Sequence, residues 1–250
     1  YPGCYIQESV NIDNALYNNP YLLRVFSAGN AGGDSYSNGL GPGLDKITAG
    51  KTSKNSVLIA NASVGVQFTP FGAYITSATL APSSSQGPTD DGRIKPDIGA
   101  KGSSVNSTLP GNDYGTKTGT SMSCPGIAGV MGQLYQAYKE LNGGQNPNSS
   151  VMKNILLNAA DDLGNPGPDF KHGWGEINVL RGLSILENVN YESGTISQGQ
   201  DEDHYINVPA GTKEIKVMVY WHDKEASTNA SIALVNDLDI TLMSPSGNTI

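Results

Sequence analysis

The most regular hydrophobic pattern in the chain lies between residues 121 and 138. Apolar side chains recur there at spacings of three and four residues: Ile127, Val130, Met131, Leu134 and Tyr138. These spacings place them on one face of a helix, so the pattern predicts a buried α-helix from Ser121 to Tyr138. We expect the intervening glycines to let this helix approach a sheet closely; they are Gly126, Gly129 and Gly132.

Short apolar runs bounded by turn residues predict strands. Leu22–Phe26 and Val57–Ala60 are such runs, and residues 95–100 lead into a third strand. Uninterrupted apolar runs are typical of strands buried on both faces, so a mainly parallel sheet is expected. The glycine- and serine-rich residues 31–45 predict a loop.

Three further helical segments complete this α/β pattern. Asp13–Tyr17 reads as the end of a helix before Pro20. Asn148 precedes a segment with apolar residues at positions 151, 155 and 159, and Asn178 precedes another with leucines at 180 and 183. Asparagine is a favoured residue just before a helix, so both positions predict helix starts.

The pattern changes near Tyr191, where apolar and polar residues begin to alternate. The alternating segments are Tyr205–Val208, Ile215–Trp221 and Leu238–Leu242, and turn residues separate them. Period-two alternation of this kind is typical of an antiparallel β-sandwich. We therefore expect one domain over residues 1–190 and the start of a β-sandwich module over residues 191–250.

Composition and charge exclude some partners. The 250 residues carry a formal net charge of −8 and no basic cluster, which argues against nucleic acid and anionic membranes. The chain has no apolar run long enough to cross a membrane, and its two cysteines, Cys4 and Cys124, are too few for a disulfide framework.

The predicted long helix begins in a stretch with candidate chemistry. Gly119 and Thr120 lead into Ser121, and Pro125 suits the first turn of the helix, where its missing N–H would have no partner anyway. Backbone N–H groups at a helix start have no intrahelical partner, and the helix dipole favours negative charge there. A serine that attacks a carbonyl needs this setting, because its tetrahedral intermediate carries an oxyanion. The alternative reading is that Ser121 only caps the helix.

Three stretches, in this order, resemble the subtilisin-like serine proteases, or subtilases. They are residues 26–32 (FSAGNAG), 84–98 (SSQGPTDDGRIKPDI) and 119–125 (GTSMSCP). The resemblance covers about residues 10–185 and implies part of a three-layer fold around a parallel sheet. Residues 234–239 and 244–248 resemble the jelly-roll-like C-terminal module of some secreted subtilases.

The resemblance implies roles for particular residues. Ser121 would be the nucleophile, and Asn30 would donate a side-chain N–H to the oxyanion. Small residues would form one wall of the pocket for the substrate residue before the scissile bond, and Thr120 would shape its floor. Those wall residues would be Ser27, Ala28 and Gly29.

A catalytic base is missing from the expected place. In subtilases the catalytic residues follow the order Asp, His, Ser, yet the histidines of this chain, His172, His204 and His222, all follow Ser121. We therefore expect the catalytic Asp and His to lie outside this chain, in an N-terminal half of the protease domain that would be a partner if it is a separate piece. On this interpretation the chain alone is inactive.

The function expected from these features is that of a secreted serine endopeptidase acting on protein or peptide substrates through an acyl-enzyme. One alternative is an inactive subtilase-derived fragment or binding module. A serine esterase of another fold is a second, although Ser123 stands where the Gly-x-Ser-x-Gly motif needs glycine.

No organic cofactor is expected, and a structural calcium ion is the candidate metal. Acidic residues late in the chain could supply oxygen ligands, although such loop residues are more often solvated. They are Asp201, Asp203, Asp237 and Asp239.

Overall fold

The computed structural model describes residues 2–35, 44–70 and 72–249, so most of the expected loop 31–45 lies outside the described residues. Its helices are α1 (Gln7–Tyr17), α2 (Thr120–Leu141), α3 (Ser149–Asn158) and α4 (Val179–Glu187), with a 3₁₀ helix at Ala49–Thr52. Its strands are β1 (Val25–Ser27), β2 (Val57–Thr69), β3 (Gly72–Leu80), β4 (Ile98–Lys101), β5 (Val105–Leu109) and β6 (Asp113–Lys117).

Strand β2 is the centre of a mixed sheet. Its first half is parallel to β1 on one side, with Val25 opposite Val57, and parallel to β4 on the other, with Ile98 opposite Ile59. The expected parallel sheet is therefore present. Beyond Ala62, β2 continues as an antiparallel hairpin with β3. The chain thus has an α/β fold, with a mixed rather than a purely parallel sheet.

Helix α2 packs on one face of this sheet through the apolar positions that its spacing predicted. Ile127, Met131 and Leu134 are buried and belong to one hydrophobic cluster with Ile59 and Ile98 of the sheet. Nearly complete burial of such side chains contributes roughly 1.5–3 kcal/mol each, so this face holds the helix on the sheet.

The expectation for the glycines of α2 is wrong. Gly126, Gly129 and Gly132 are exposed, and a Cβ atom at any of them would meet no atom within 4 Å in the described structure. They lie outside the buried face of α2, which Ile127, Met131 and Leu134 form. Glycine therefore does not serve to bring the helix close to this sheet.

The opposite face of the sheet has a smaller cluster. Leu58 points away from α2 and packs with Ala28 and Ile47. Helix α1 lies against the 3₁₀ helix, where the Ser9 and Thr52 hydroxyls are 2.7 Å apart. These contacts fix the segment between β1 and β2 relative to the sheet.

The shorter helices follow the sequence pattern. Helix α3 begins directly after Asn148, and the Asn178 side chain accepts a hydrogen bond from Arg181 N at 3.0 Å, as a capping residue should. In the described part of the chain, no helix combines the length and the apolar character that a membrane crossing requires.

Residues 191–249 contain no β-strand, and their isolated backbone bridge joins Met243 and Thr249. The expected β-sandwich therefore stays a prediction. Part of this segment is hydrogen-bonded to the core. Met218 O accepts from Asn154 Nδ2 at 3.2 Å, and Lys54 Nζ donates to buried Asp223 at 2.6 Å. The chain beyond residue 190 thus covers polar groups of the α/β core.

Glu176 lies next to β4; the residue is half-buried, and the Oε2 atom of its carboxyl group is buried. Its backbone pairs with Asp161 and Gly99, and its Oε2 atom has no hydrogen-bond partner among the described residues. Burial, with a smaller contribution from the Asp161 charge, raises the pKa of Glu176 to about 8. The side chain therefore holds a proton in the folded protein at neutral pH.

Replacing Glu176 with glutamine is expected to stabilise the protein in alkaline solution. In the unfolded chain the carboxyl group of Glu176 ionises near its ordinary pKa of 4.5. The wild type therefore loses stability as the pH rises from about 4.5 through about 8. Glutamine has nearly the same shape and cannot ionise. Thermal melts should show a higher Tm for Glu176→Gln at alkaline pH and little difference in acid, whereas exposed Glu187→Gln should change neither. An unchanged alkaline Tm for Glu176→Gln would contradict this assignment.

Candidate active site

Ser121 is the second residue of α2, and its side chain is exposed. Gly119 precedes the helix with a φ of 155°, and its N–H donates to Gly102 O at 2.9 Å in the loop after β4. This hydrogen bond ties the start of α2 to the loop that follows β4. Pro125 lies inside α2 rather than in its first turn, so Ser121 O lacks the usual helical N–H partner.

The backbone N–H of Ser121 is left free by this arrangement. On one side, Thr120 N donates to the Asn30 side chain at 3.0 Å, and on the other, Met122 N donates to Gly119 O at 2.9 Å. Ser121 N donates no hydrogen bond to any described residue. An unpaired N–H at the start of a long helix is suited to receive negative charge.

Asn30 follows β1 and is held by its side-chain oxygen. Its Oδ1 atom accepts from Thr120 N at 3.0 Å and from Thr120 Oγ1 at 3.2 Å. Its Nδ2 atom has no partner among the described residues, and a Cβ atom at Gly119 would lie 3.4 Å from it. The oxygen end of the amide is therefore fixed while the donor end is available beside the start of α2.

The expected wall residues lie at the end of β1 and just beyond it. Ser27 ends the strand, Ala28 is buried, and Gly29 has a φ of 114° that favours glycine. Gly29 N donates to Thr120 Oγ1 at 3.1 Å. Buried Thr120 therefore joins the segment after β1 to the residue before Ser121.

A second set of polar contacts supports the loops around Ser121. Buried Asn61 accepts from Gly102 N at 2.9 Å through its side chain, and its own N–H donates to Ser84 Oγ at 3.1 Å. Ser85 Oγ accepts from Ala31 N at 3.1 Å, beside Asn30. Sequence analysis did not identify Asn61 as part of the site; a polar residue ending the apolar run Val57–Ala60 was the available signal.

The histidines make contacts elsewhere. His172 is buried with Nδ1 3.5 Å from Asp169, exposed His204 pairs with Glu192, and His222 lies 3.4 Å from Ser149 Oγ. Burial lowers the pKa of His222 to about 4. None of these contacts involves a residue around Ser121, so in the described structure no histidine is hydrogen-bonded to the candidate nucleophile.

The candidate calcium ligands are all exposed; they are Asp201, Asp203, Asp237 and Asp239. Within residues 2–35, 44–70 and 72–249, no three His, Cys, Asp or Glu side chains come together as a metal site would require.

Comparison with known proteins identifies the family of the chain. A family model described as the subtilase family matches residues 5–175. Pyrolysin of Pyrococcus furiosus is 32% identical over 209 residues, covering 73% of this chain and 14% of pyrolysin. C5a peptidase of Streptococcus pyogenes is 33% identical over 129 residues, covering 49% of this chain and 11% of that protein. Minor extracellular protease Vpr of Bacillus subtilis is 30% identical over 162 residues, covering 61% of this chain and 18% of Vpr.

Solved structures share the fold. A variant of the protease domain of PatA superposes with a TM-score of 0.52 at 18% identity, covering 72% of this chain and 53% of that one. A lanthipeptide protease gives a TM-score of 0.52 at 21% identity, covering 71% of this chain and 54% of that one.

The chain spans between 11% and 18% of the length of the curated relatives named above. The family model, however, covers more than half of this chain, and it includes the segments that carry Asn30 and Ser121. The chain therefore belongs to the subtilase family.

Proposed function

We propose that the protein is a serine endopeptidase in which Ser121 is the nucleophile and Asn30 belongs to the oxyanion hole. The observation that carries this proposal is the pair of free donors at the start of α2. Ser121 N and Asn30 Nδ2 have no acceptor among the described residues, while Thr120 fixes the groups on either side of them.

The proposed reaction uses these groups in a simple order. Ser121 Oγ attacks the peptide carbonyl and passes its proton to a histidine, which a carboxylate orients. The carbonyl oxygen becomes negatively charged, and Ser121 N and Asn30 Nδ2 donate to it. The histidine gives its proton to the amine, which leaves. Water, which passes a proton to the same histidine, then attacks the acyl group, and Ser121 Oγ takes that proton back as the acid product is released. No organic cofactor takes part.

The Asp and His of this mechanism would come from polypeptide outside residues 1–250. In the described structure β1 pairs with β2 alone, so its other edge is open. Beside that edge lies an apolar groove of about 310 Å³, whose lining includes Leu23, Val25, Met131 and Tyr135. An open strand edge next to exposed apolar surface favours a further piece of protein at this position.

The same proposal includes the substrate of the protein and its secretion. Protein or peptide chains would bind along the end of β1, with Ser27, Ala28 and Gly29 forming one pocket wall and Thr120 joining that wall to Ser121. Secretion is supported by the low content of charged residues, 15%, and by the resemblance to Vpr, whose name describes it as extracellular.

An inactive subtilase-derived protein is the second candidate. It is favoured by the histidine contacts, since His172, His204 and His222 all contact residues away from Ser121. The two candidates differ in whether Ser121 and Asn30 affect hydrolysis.

Replacing Asn30 with aspartate tests the proposed oxyanion hole. Aspartate keeps an oxygen that can accept from Thr120 but removes the amide donor. We expect kcat for peptide hydrolysis by the active protein to fall by about 10²–10³-fold with KM little changed, a magnitude measured for the equivalent donor in another subtilase.

Exposed Asn19→Asp is the matched control, because it makes the same change of charge at the end of α1. It should leave kcat unchanged. A fall in kcat of less than about threefold for Asn30→Asp would contradict the role of Asn30.

A further inference from the structure

Lys51 places a positive charge beside the proposed pocket wall. It lies on the 3₁₀ helix Ala49–Thr52 and is half-buried. A Cβ atom at Gly29 would lie 3.2 Å from Lys51 Nζ and 2.8 Å from Ser85 Oγ. The ammonium group is therefore next to the wall residue that precedes Asn30.

The backbone of Lys51 is held on both sides. Gly50 N donates to Glu8 Oε2 at 3.1 Å, and Thr52 Oγ1 donates to Cys4 O at 2.9 Å. Helix α1 and the segment before it thus fix the 3₁₀ helix, and the direction in which the Lys51 side chain leaves the backbone is set by the fold rather than by a mobile loop.

The ammonium group of Lys51 has no hydrogen-bond or ion-pair partner in the described part of the chain. Burial lowers the pKa of Lys51, while the Glu8 charge opposes that shift. Glu8 is exposed and uses Oε2 for Gly50 N, so it does not form a close pair with Lys51. A half-buried cation without a close partner gains from an incoming carboxylate.

A substrate held at Ser121 would bring a side chain to this place. Gly29 N donates to Thr120 Oγ1 at 3.1 Å, and Thr120 directly precedes Ser121. If the carbonyl of the scissile bond lies between Ser121 N and Asn30 Nδ2, the side chain before that bond is directed along Ser27–Gly29. The far end of this substrate side chain would then lie near Lys51.

We propose that Lys51 makes the protein prefer substrates with glutamate or aspartate immediately before the scissile bond. This inference rests on the proposed function, since it uses the same nucleophile and pocket wall. The carboxylate of the substrate pairs with the ammonium group of Lys51. An uncharged side chain of the same length lacks this pairing.

The test compares two quenched peptides that differ only in glutamate or glutamine before the scissile bond. A hydrogen bond between charged groups is stronger than one between neutral groups. We therefore expect kcat/KM for the glutamate peptide to be about tenfold or more above that for the glutamine peptide. The substitution Lys51→Met should remove this preference by lowering kcat/KM for the glutamate peptide while largely keeping that for the glutamine peptide. Exposed Lys139→Met, at the far end of α2, is the matched control and should keep the wild-type preference.

The outcomes separate this inference from the proposed function. Hydrolysis through Ser121 with no preference for glutamate over glutamine would overturn the role of Lys51 alone. An equal loss for both peptides in Lys51→Met would also overturn it, since that result indicates only a structural role. No cleavage of any peptide and no reaction of Ser121 with a fluorophosphonate would overturn the proposed function, and this inference with it.

Discussion

Replacing Ser121 with alanine is expected to lower kcat for peptide hydrolysis by about 10⁶-fold, the loss known for the equivalent serine of another subtilase. The side chain is exposed at the start of α2 and donates no hydrogen bond that the described structure needs. Alanine should therefore leave the fold and the binding of substrate intact. Steady-state kinetics, together with a thermal melt of the same preparation, would separate lost chemistry from lost structure.

Ser123 provides the control for this substitution. It lies two positions further along α2, is buried, and donates to Thr120 O at 3.1 Å. Ser123→Ala should cost about 1 kcal/mol of stability and keep most of the activity. Equal activities for Ser121→Ala and the wild type would contradict the proposed mechanism.

Replacing Asp97 with asparagine is expected to destabilise the protein by about 3–5 kcal/mol, a large part of the stability of an ordinary domain. Asp97 is buried and lies between two buried ammonium groups, with Lys95 Nζ at 2.6 Å and Lys153 Nζ at 3.1 Å. It also accepts from Leu58 N at 2.7 Å, which ties it to β2. Asparagine would leave both cations without a counter-charge.

The same group gives a pH dependence with a defined sign. Burial alone would raise the pKa of Asp97, but Lys153 and Lys95 hold it below its ordinary value of 3.8. Its contribution to stability is therefore complete above that value and is lost as pH falls through the lower pKa of the folded state. Urea unfolding should show the difference between wild type and Asp97→Asn shrinking in strong acid.

Exposed Asp113→Asn, in β6, is the matched control and should change the free energy of unfolding by no more than about 0.5 kcal/mol. A loss below about 1 kcal/mol for Asp97→Asn at neutral pH would show that the two lysines find other partners or lose their charge at little cost.

The spacing of apolar residues predicted α2 and α3, because it follows the helical repeat, and short apolar runs predicted the parallel strands. The hairpin of β5 and β6 was not predicted, since its residues are mostly polar and exposed and give no apolar alternation. The glycines of α2 were assigned to the wrong face because glycine has no side chain that reveals which way it points. Only the burial of Ile127 and Met131 settles that question.

The candidate site residues could be named from the sequence where they lie in a short motif, and not where distant residues meet. Asn30 and Ser121 lie in recognisable stretches, and the structure brings them together through Thr120. Lys51 gives no signal in the sequence, because its closeness to Gly29 depends on how α1 holds the 3₁₀ helix. The ion pair of Lys54 with Asp223 likewise joins segments that are 169 positions apart.

The central claim is that Ser121 is an activated nucleophile in the complete protein. A fluorophosphonate reacts with a serine whose hydroxyl a base has activated, so the direct measurement is labelling of wild type and Ser121→Ala, followed by peptide mass spectrometry. We predict one adduct on the peptide that contains Ser121 in the wild type and none in Ser121→Ala. An unlabelled Ser121 in protein that also carries the family's Asp and His would contradict the claim.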